Sequence, residues 1–151
     1  MQLEMAIALL LENVVQDMYA SRQSSALQPL QWSILRYLAH ATSGPKDLKS
    51  IAGYLGATES SVGRAVNALE RTGLVNRGRD PQLGRSAHVE ITDDGKAALP
   101  DDPLQKVAWK IGTLADNERE ALAKALRKLL LMEHKLGCLA PLVLATDPGF
   151  L

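Results

Sequence analysis

The sequence has a single cysteine, Cys138, in 151 residues. One thiol cannot close an intrachain disulfide or supply a thiolate cluster to a metal, which excludes a small secreted scaffold built on disulfides. The longest apolar runs, Met5–Leu11 and Leu136–Ala145, are far shorter than the roughly 20 residues that cross a bilayer. The N-terminal residues also lack the basic region of a secretory signal. These absences predict a soluble cytoplasmic protein with no membrane partner.

Signatures of catalysis are absent as well. The sequence contains no G-x-S-x-G, no phosphate-binding P-loop, no H-E-x-x-H and no paired cysteines. Its three histidines, His40, His88 and His134, fall on three different predicted elements. We therefore predict that the protein is not an enzyme and holds neither a metal nor a cofactor. Cys138 is expected to be a buried, unreactive thiol, and His88 a surface residue of a hairpin.

An excess of charge of one sign is missing too, since 17 Lys and Arg balance 17 Asp and Glu. The distribution is nevertheless uneven. Between residues 60 and 89, five arginines and no lysine stand against Glu70 and Asp80, a net charge of +3. The planar guanidinium group suits phosphates and guanine edges better than the point charge of lysine does. A solvated surface would explain this cluster equally well until its residues are placed on secondary structure.

Apolar spacing in the first half of the chain predicts helices. One covers 3–18, and a second covers about 30–42, with Pro29 in its first turn. Two short helices, 47–55 and 59–72, follow, with their apolar residues at i, i+3, i+4 and i+7. A turn at Gly56 separates them, Thr58 caps the second and Gly73 ends it in the left-handed region; this arrangement is typical of a helix-turn-helix.

After Gly73 the apolar period changes from 3.6 to 2, which predicts strands at 74–77 and 87–91 joined by a Gly/Pro loop at 78–86. A helix-turn-helix followed by a basic hairpin is a winged helix-turn-helix. The predicted fold class is mainly α with a small β-hairpin wing (α+β).

Beyond the hairpin, Thr92-Asp93-Asp94 begins a further helix, and Pro100 and Pro103 interrupt the pattern that follows it. Asp116 is predicted to cap a long helix at about 117–135, and the tail after residue 135 is predicted to be irregular.

Three regions follow from this pattern. Residues 1–28 form an N-terminal dimerisation helix, 29–98 the winged helix-turn-helix core that binds DNA, and 99–151 the C-terminal dimerisation helices and tail. The terminal helices carry wider apolar faces than so small a core can cover, which favours dimerisation. The alternative is that they pack on the core of their own chain.

Several stretches match one known family in order and spacing, most densely from residue 30 to 95. They are Leu30-Gln31-Trp32-Ser33-Ile34-Leu35, Leu55-Gly56-Ala57-Thr58-Glu59-Ser60-Ser61-Val62, Leu69-Glu70-Arg71-Thr72-Gly73-Leu74-Val75-Asn76-Arg77 and Ile91-Thr92-Asp93-Asp94-Gly95. In these stretches the chain resembles the MarR family of bacterial transcription regulators. The resemblance implies a homodimer with interlocking terminal helices, whose two winged lobes read a pseudo-palindromic operator in double-stranded DNA.

The wing departs from the family pattern, which usually reads Asp-Pro-x-Asp-x-Arg. Here it reads Asp80-Pro81-Gln82-Leu83-Gly84-Arg85. Leu83 stands in place of the second Asp. In the family, that Asp looks like the partner that keeps the arginine of the wing tip in position. We therefore expect Arg85 to be less preorganised and the contacts of the wing to be weaker or differently aimed.

Placing the apolar stripe of helix 59–72 inward leaves a polar face for base edges and phosphates. The predicted DNA-binding residues of the helix and the wing are Thr58, Ser60, Ser61, Arg64, Asn67, Arg77, Arg79 and Arg85. Arg71 lies on the same outward face. Two alternatives stay open: Ser60 and Ser61 cap the helix, and Arg77 pairs with Glu70 or Asp80.

The resemblance also implies a small-molecule effector between the winged lobe and the dimer helices. The candidate pocket residues are Met18, Tyr19, Trp32 and Trp109, with plain core residues as the alternative.

The predicted function is a homodimeric, sequence-specific transcriptional regulator, a repressor relieved by a small ligand. Its recognition helix, 59–72, enters the major groove, and its wing, 78–86, lies on the minor groove or the backbone. The alternative is a winged-helix protein–protein interaction module that has lost specific DNA binding. The zero net charge and the altered wing favour that alternative, and the five arginines oppose it.

Overall fold

A computed structural model describes residues 2–20, 27–41, 46–79 and 87–133. Some predictions lie outside these residues. They concern residue 42 at the end of the second helix, the wing loop 80–86 with Leu83 and Arg85, and the tail with His134 and Cys138.

The described residues form seven α-helices, one 3-10 turn and one antiparallel hairpin. The helices are α1 (Leu3–Tyr19), α2 (Pro29–His40), α3 (Leu48–Leu55), α4 (Glu59–Arg71), α5 (Asp93–Ala98), α6 (Pro103–Gly112) and α7 (Asp116–Glu133). The strands are β1 (Val75–Arg79) and β2 (Ala87–Ile91), and the 3-10 turn is Leu99–Asp101. The predicted fold class, mainly α with a small hairpin wing, is confirmed.

The core lies where α2, α3, α4 and the hairpin meet. Its buried apolar residues are Trp32, Ile34, Leu35, Leu38, Ile51, Ala52, Val62, Val66, Leu69, Val75 and Val89. We call residues 27–98, which surround this core, the winged lobe. The backbone N–H of Val89 donates to the carbonyl of Lys46 (3.0 Å), and this bond attaches the hairpin to the segment before α3.

Side-chain caps start the helices of the helix-turn-helix. The Asp47 carboxylate accepts from the Ser50 N–H (2.7 Å) before α3, and Thr58 Oγ1 accepts from the Ser61 N–H (3.2 Å) before α4. Gly56 (φ 61°) and Gly73 (φ 76°) follow the two helices in the left-handed region, where glycine has no Cβ to clash. The predicted roles of Thr58, Gly56 and Gly73 are confirmed.

The prediction that Asp116 caps α7 is wrong. The helix begins at Asp116 itself, and the carboxylate of this residue pairs with Arg119 one turn later. The side chain at this end that bonds back to the preceding backbone is Glu118, which accepts from the Ala115 N–H (2.9 Å). The acidic first turn, Asp116-Asn117-Glu118, offers two carboxylates, and sequence position does not decide between them.

The helices α1 and α6 contact each other outside the winged lobe. Asp17 of α1 pairs with Lys110 (2.7 Å) and Lys106 (3.2 Å) of α6, and the lysines lower the pKa of this carboxyl. Large apolar side chains of α1, α6 and α7 remain exposed within one chain. They are Leu3, Met5, Ile7, Leu9, Leu10, Leu11, Val14, Val15, Leu104, Trp109, Leu129, Leu130 and Leu131. Despite these faces, none of the described helices is long and apolar enough to span a membrane.

A substitution at Gly95 tests the packing of α5 on the lobe. A Cβ at this buried position would overlap the backbone carbonyl of Leu74 and would lie 2.7 Å from Ile91 Cγ1. The Leu74 carbonyl accepts from the Thr92 N–H (3.1 Å) and so cannot move freely. We expect Gly95→Ala to lower the free energy of unfolding by about 2–3 kcal/mol in urea titrations. Gly53→Ala in α3, where a Cβ meets nothing within 4 Å, is the control and should be neutral or slightly stabilising. Equal effects of the two substitutions would contradict this account.

The cap at Asp47 predicts a pH dependence. The hydrogen bond from the Ser50 backbone lowers the pKa of Asp47 below the 3.8 that is usual for an aspartate. A carboxyl whose pKa is lower in the folded state stabilises the fold above pH 3.8, and this contribution disappears as the pH falls through the lowered pKa. Asp47→Asn keeps a capping oxygen without titrating. The wild type should therefore lose stability relative to Asp47→Asn between pH 6 and pH 3 in urea titrations. A difference that stays constant over this range would contradict the prediction.

Candidate nucleic-acid interface

One face of α4 carries a polar stripe. Ser60, Arg64, Asn67 and Arg71 are all exposed, and their spacing places them on one side of the helix. The opposite side buries Val62, Val66 and Leu69 against the lobe. The stripe can therefore meet another molecule without disturbing the core, as the recognition helix of a helix-turn-helix must.

Thr58 and Ser61 form a small network in the first turn of α4. Thr58 Oγ1 donates to Ser61 Oγ (2.9 Å) and also accepts from the Ser61 N–H. The cap is thus Thr58, and the Ser61 hydroxyl is bonded to the side chain of that cap residue. Ser60 is exposed beside it, at a helix end whose N–H groups favour anions such as phosphate.

Arg64 is exposed one turn further along. Its Nη2 donates to Ser61 Oγ at 3.5 Å, the limit of a hydrogen bond, so the contact holds the guanidinium only weakly. The group is thus turned toward the N-terminal end of α4 and keeps donors for an incoming ligand. A guanidinium there can donate two parallel bonds to O6 and N7 of guanine.

Arg77 of β1 points a different way. Its Nη2 donates to the carbonyl of Gly63 in α4 (3.3 Å), and its Nε lies 3.7 Å from Glu70 Oε2. The side chain is only 26% exposed. These contacts support the pairing with Glu70 that the sequence left open, and they attach the first strand of the wing to the recognition helix.

The other predicted residues of the wing lie further along the hairpin. Arg79 ends β1 and pairs with Ala87 across the hairpin, so it lies where the wing leaves the lobe. Arg85 lies outside the described residues. On β2, His88 Nε2 is 3.1 Å from Glu90 Oε1 on the polar side of the strand, in line with a hairpin surface residue.

The four candidate pocket residues lie in different surroundings. Met18 and Tyr19 are half-buried at the end of α1, and Tyr19 packs against the core. Trp32 is a core residue at 6% exposure, which agrees with the alternative interpretation, whereas Trp109 on α6 is 72% exposed. Among the described residues of one chain, Trp109 therefore lies on an open surface. The described residues also contain no group of three His, Cys, Asp or Glu that could hold a metal ion.

Sequence reasoning missed an ion pair between Arg36 and Asp102. Arg36 Nη1 lies 2.7 Å from Asp102 Oδ1 and 2.5 Å from Oδ2, and the carboxylate is almost completely buried. The two residues are 66 positions apart, so no local pattern links them. The available signal was an aspartate directly before Pro103, since an N-cap followed by proline is a common start of a helix.

Comparisons with known proteins agree with this architecture. Residues 27–95 match the winged helix DNA-binding domain family. The chain is 26% identical over 132 residues to YkoM, an HTH-type transcriptional regulator of Bacillus subtilis, and this match covers 85% of the chain and 84% of that protein.

Solved structures share the fold, among them the following two. The transcriptional regulator PcaV of Streptomyces coelicolor, in complex with its natural ligand, is 22% identical with a TM-score of 0.63; the match covers 82% of this chain and 88% of that one. A MarR family protein from Bacillus stearothermophilus is 20% identical with a TM-score of 0.62, over 84% of this chain and 90% of that one. The resemblance to MarR regulators is confirmed at the level of the fold, and residues 27–95 form a winged helix domain. YkoM and PcaV are both named as transcriptional regulators.

Substitution of two arginines tests whether a guanidinium bonded within the lobe contributes more to the stability of the fold than an exposed one. Arg77→Ala should lower the free energy of unfolding by about 1 kcal/mol, because a hydrogen bond and an ion pair between β1 and α4 are lost. Arg64→Ala, on the exposed stripe, should change it by less than about 0.5 kcal/mol. Urea titrations followed by circular dichroism would measure both values. Equal stabilities of the two variants would contradict the structural role of Arg77.

Proposed function

We propose that this protein is a homodimeric, sequence-specific DNA-binding transcriptional regulator, a repressor relieved by a small ligand. The exposed stripe Ser60, Arg64, Asn67 and Arg71 on α4 is the observation that carries the proposal. Such a regulator acts in the cytoplasm, where the chromosome is accessible.

Three members of the stripe have side chains that suit contacts with bases or phosphates. Arg64 recognises guanine through a bidentate contact, Asn67 can pair in the same way with adenine, and Ser60 bonds to a base or a phosphate. Thr58 and Ser61 place the first turn of α4 against the sugar-phosphate backbone of the DNA. The wing arginines, Arg79 and Arg85, contact phosphates or enter a narrow minor groove, which attracts arginine.

Arg77 contributes differently in this proposal. Its contacts with Gly63 and Glu70 hold the wing strand at a fixed position beside the recognition helix. Any phosphate contact that Arg77 makes comes second to that role, because much of its guanidinium is already engaged within the lobe.

Dimerisation follows from the exposed apolar faces of α1, α6 and α7. Large apolar side chains exposed in this number on three helices usually meet a partner, and a second copy is the simplest one. In this proposal the regions 1–28 and 99–151 form the dimer, and 29–98 binds DNA. A two-fold dimer would read a pseudo-palindromic operator, with half-sites one helical turn apart.

A ligand would act between the lobe and the dimer helices. The existence of a ligand is supported by PcaV, a protein of the same fold that was solved in complex with its natural ligand. Met18, Tyr19 and Trp32 would lie near such a site from one chain, and the exposed Trp109 would complete it only at an interface with a second chain. Release from DNA requires the ligand to bind the lobe spacing that is incompetent for DNA more tightly than the competent one.

The alternative function, a protein–protein interaction module, is favoured by the zero net charge and by Leu83 in the wing. Salt dependence distinguishes the two, because each phosphate that a protein neutralises contributes a slope of roughly −0.9 to log K against log [salt].

The test starts from duplexes selected out of a random library by the full-length protein, with binding measured by fluorescence anisotropy at several salt concentrations. The wild type should bind selected duplexes more tightly than random ones, with a steep salt slope. Arg64→Ala should lose roughly 5- to 150-fold of this preference, equivalent to about 1–3 kcal/mol for one bidentate contact. Arg85→Ala should weaken binding to all duplexes.

Lys96→Ala, on the exposed surface of α5 and outside the regions proposed to form the dimer, is the control and should bind like the wild type. Sedimentation equilibrium should show that all three variants remain dimers. If no duplex is enriched and the salt slope is shallow, the regulator proposal is wrong and the interaction module takes its place.

A further inference from the structure

Asp102 is a buried charge at the point where the winged lobe ends. It lies between the 3-10 turn Leu99–Asp101 and α6, and it is 3% exposed. Besides the two contacts with Arg36, its Oδ1 accepts from the Leu104 N–H (2.9 Å), so Asp102 is also the N-cap of α6. A carboxylate is expensive to bury unless it is paired and hydrogen-bonded, and here both oxygens have partners.

The arginine comes from the central helix of the lobe. On α2, the neighbours of Arg36 include Leu35 and Ile34, which are completely buried, so the backbone of this helix is fixed by the core. Ser33 supports the guanidinium, since its Oγ accepts from Arg36 Nη2 (3.1 Å) and donates to the Pro29 carbonyl (3.1 Å). The core and Ser33 therefore hold the Arg36 side chain at a fixed position in the lobe.

The other side of the pair belongs to the terminal helices. Asp102 starts α6, and α6 is tied to α1 through the ion pairs of Lys106 and Lys110 with Asp17. No continuous helix joins the lobe to α6, because the backbone turns out of helical geometry at Asp102 (φ −58°, ψ 125°). The direction of α6 relative to the lobe therefore needs contacts beyond the backbone of the connecting turn.

We infer that Arg36 and Asp102 are a positioning pair, which fixes the orientation of the recognition helix relative to α6. The inference rests on the proposed function in one respect: in a DNA-bound dimer, this orientation would set the half-site spacing that the two lobes accept. A planar guanidinium that donates to both carboxylate oxygens specifies direction as well as distance. Buried ion pairs of this kind are better suited to specifying one arrangement than to adding net stability.

Asp102→Asn separates the two roles of the residue. Asparagine keeps the oxygen that caps α6 and nearly the same volume, but it loses the charge and the second acceptor for Arg36. Arg36→Lys provides a second variant, which keeps the positive charge and loses the fork. Asp17→Asn is the control, because it removes the ion pairs between α1 and α6 and leaves the turn before α6 unchanged.

Spin labels report the orientation directly. One label is placed at exposed Asn67 on α4 and another at exposed Gln105 on α6, as cysteines in a full-length Cys138→Ser background. Labelled protein is diluted with unlabelled protein, so that electron–electron double resonance measures the distance within one chain. We expect Asp102→Asn and Arg36→Lys to broaden and shift this distance distribution, and Asp17→Asn to leave it unchanged.

Distributions of folded Asp102→Asn or Arg36→Lys that superimpose on that of the wild type would overturn the inference. Circular dichroism and thermal unfolding establish that each variant is folded; if Asp102→Asn does not fold, Arg36→Lys decides. Because this measurement contains no DNA, it is independent of the proposed function.

A second readout uses duplexes in which the selected half-sites are moved apart one base pair at a time. Asp102→Asn should lose the preference of the wild type among these spacings. A variant that is only less stable would instead bind all of these duplexes more weakly by the same factor. Retention of the wild-type preference by Asp102→Asn would contradict the inference. If the wild type itself binds no duplex, the proposed function fails and the spin-label result still decides the role of the pair.

Discussion

The packing of one face of α4 against α2 and α3 is the constraint on which the rest of this structure depends. Val62, Val66 and Leu69 are completely buried, and a helix of this length cannot rotate without exposing them. Because these residues face the core, the polar stripe that contains Arg64 must face outward. The same core holds Val75 and Val89 of the hairpin, so the wing and the recognition helix are positioned by one set of apolar contacts.

Local patterns in the sequence were sufficient for most of the lobe. The spacing of α3 and α4, the turn glycines Gly56 and Gly73 and the cap Thr58 are each specified by residues within a few positions, so they could be predicted. The choice between Asp116 and Glu118 at the start of α7 could not be made, since neighbouring carboxylates compete for the same end. The contact of Arg77 with α4 and the pairing of Arg36 with Asp102 depend on how distant segments meet, which periodicity does not report.

The charged side chains of this protein are concentrated in particular regions of the chain. The net charge is zero, yet the arginines concentrate in the window that contains α4 and the hairpin, while Asp17 and its lysines lie between α1 and α6. Exposed apolar side chains show the opposite distribution and concentrate on α1, α6 and α7. One chain thus presents a polar, arginine-bearing surface at the winged lobe and apolar surfaces on its terminal helices. Asp102 lies where the two parts meet, which gives a single buried carboxylate influence over their relative orientation.

Hydroxyl-radical footprinting of the wild-type protein on a selected duplex would show whether two copies of α4 read one duplex. We expect two protected segments centred about 10 bp apart on the same face of the DNA, one for each copy of α4. A single protected segment, or protection without discrete boundaries, would contradict this expectation.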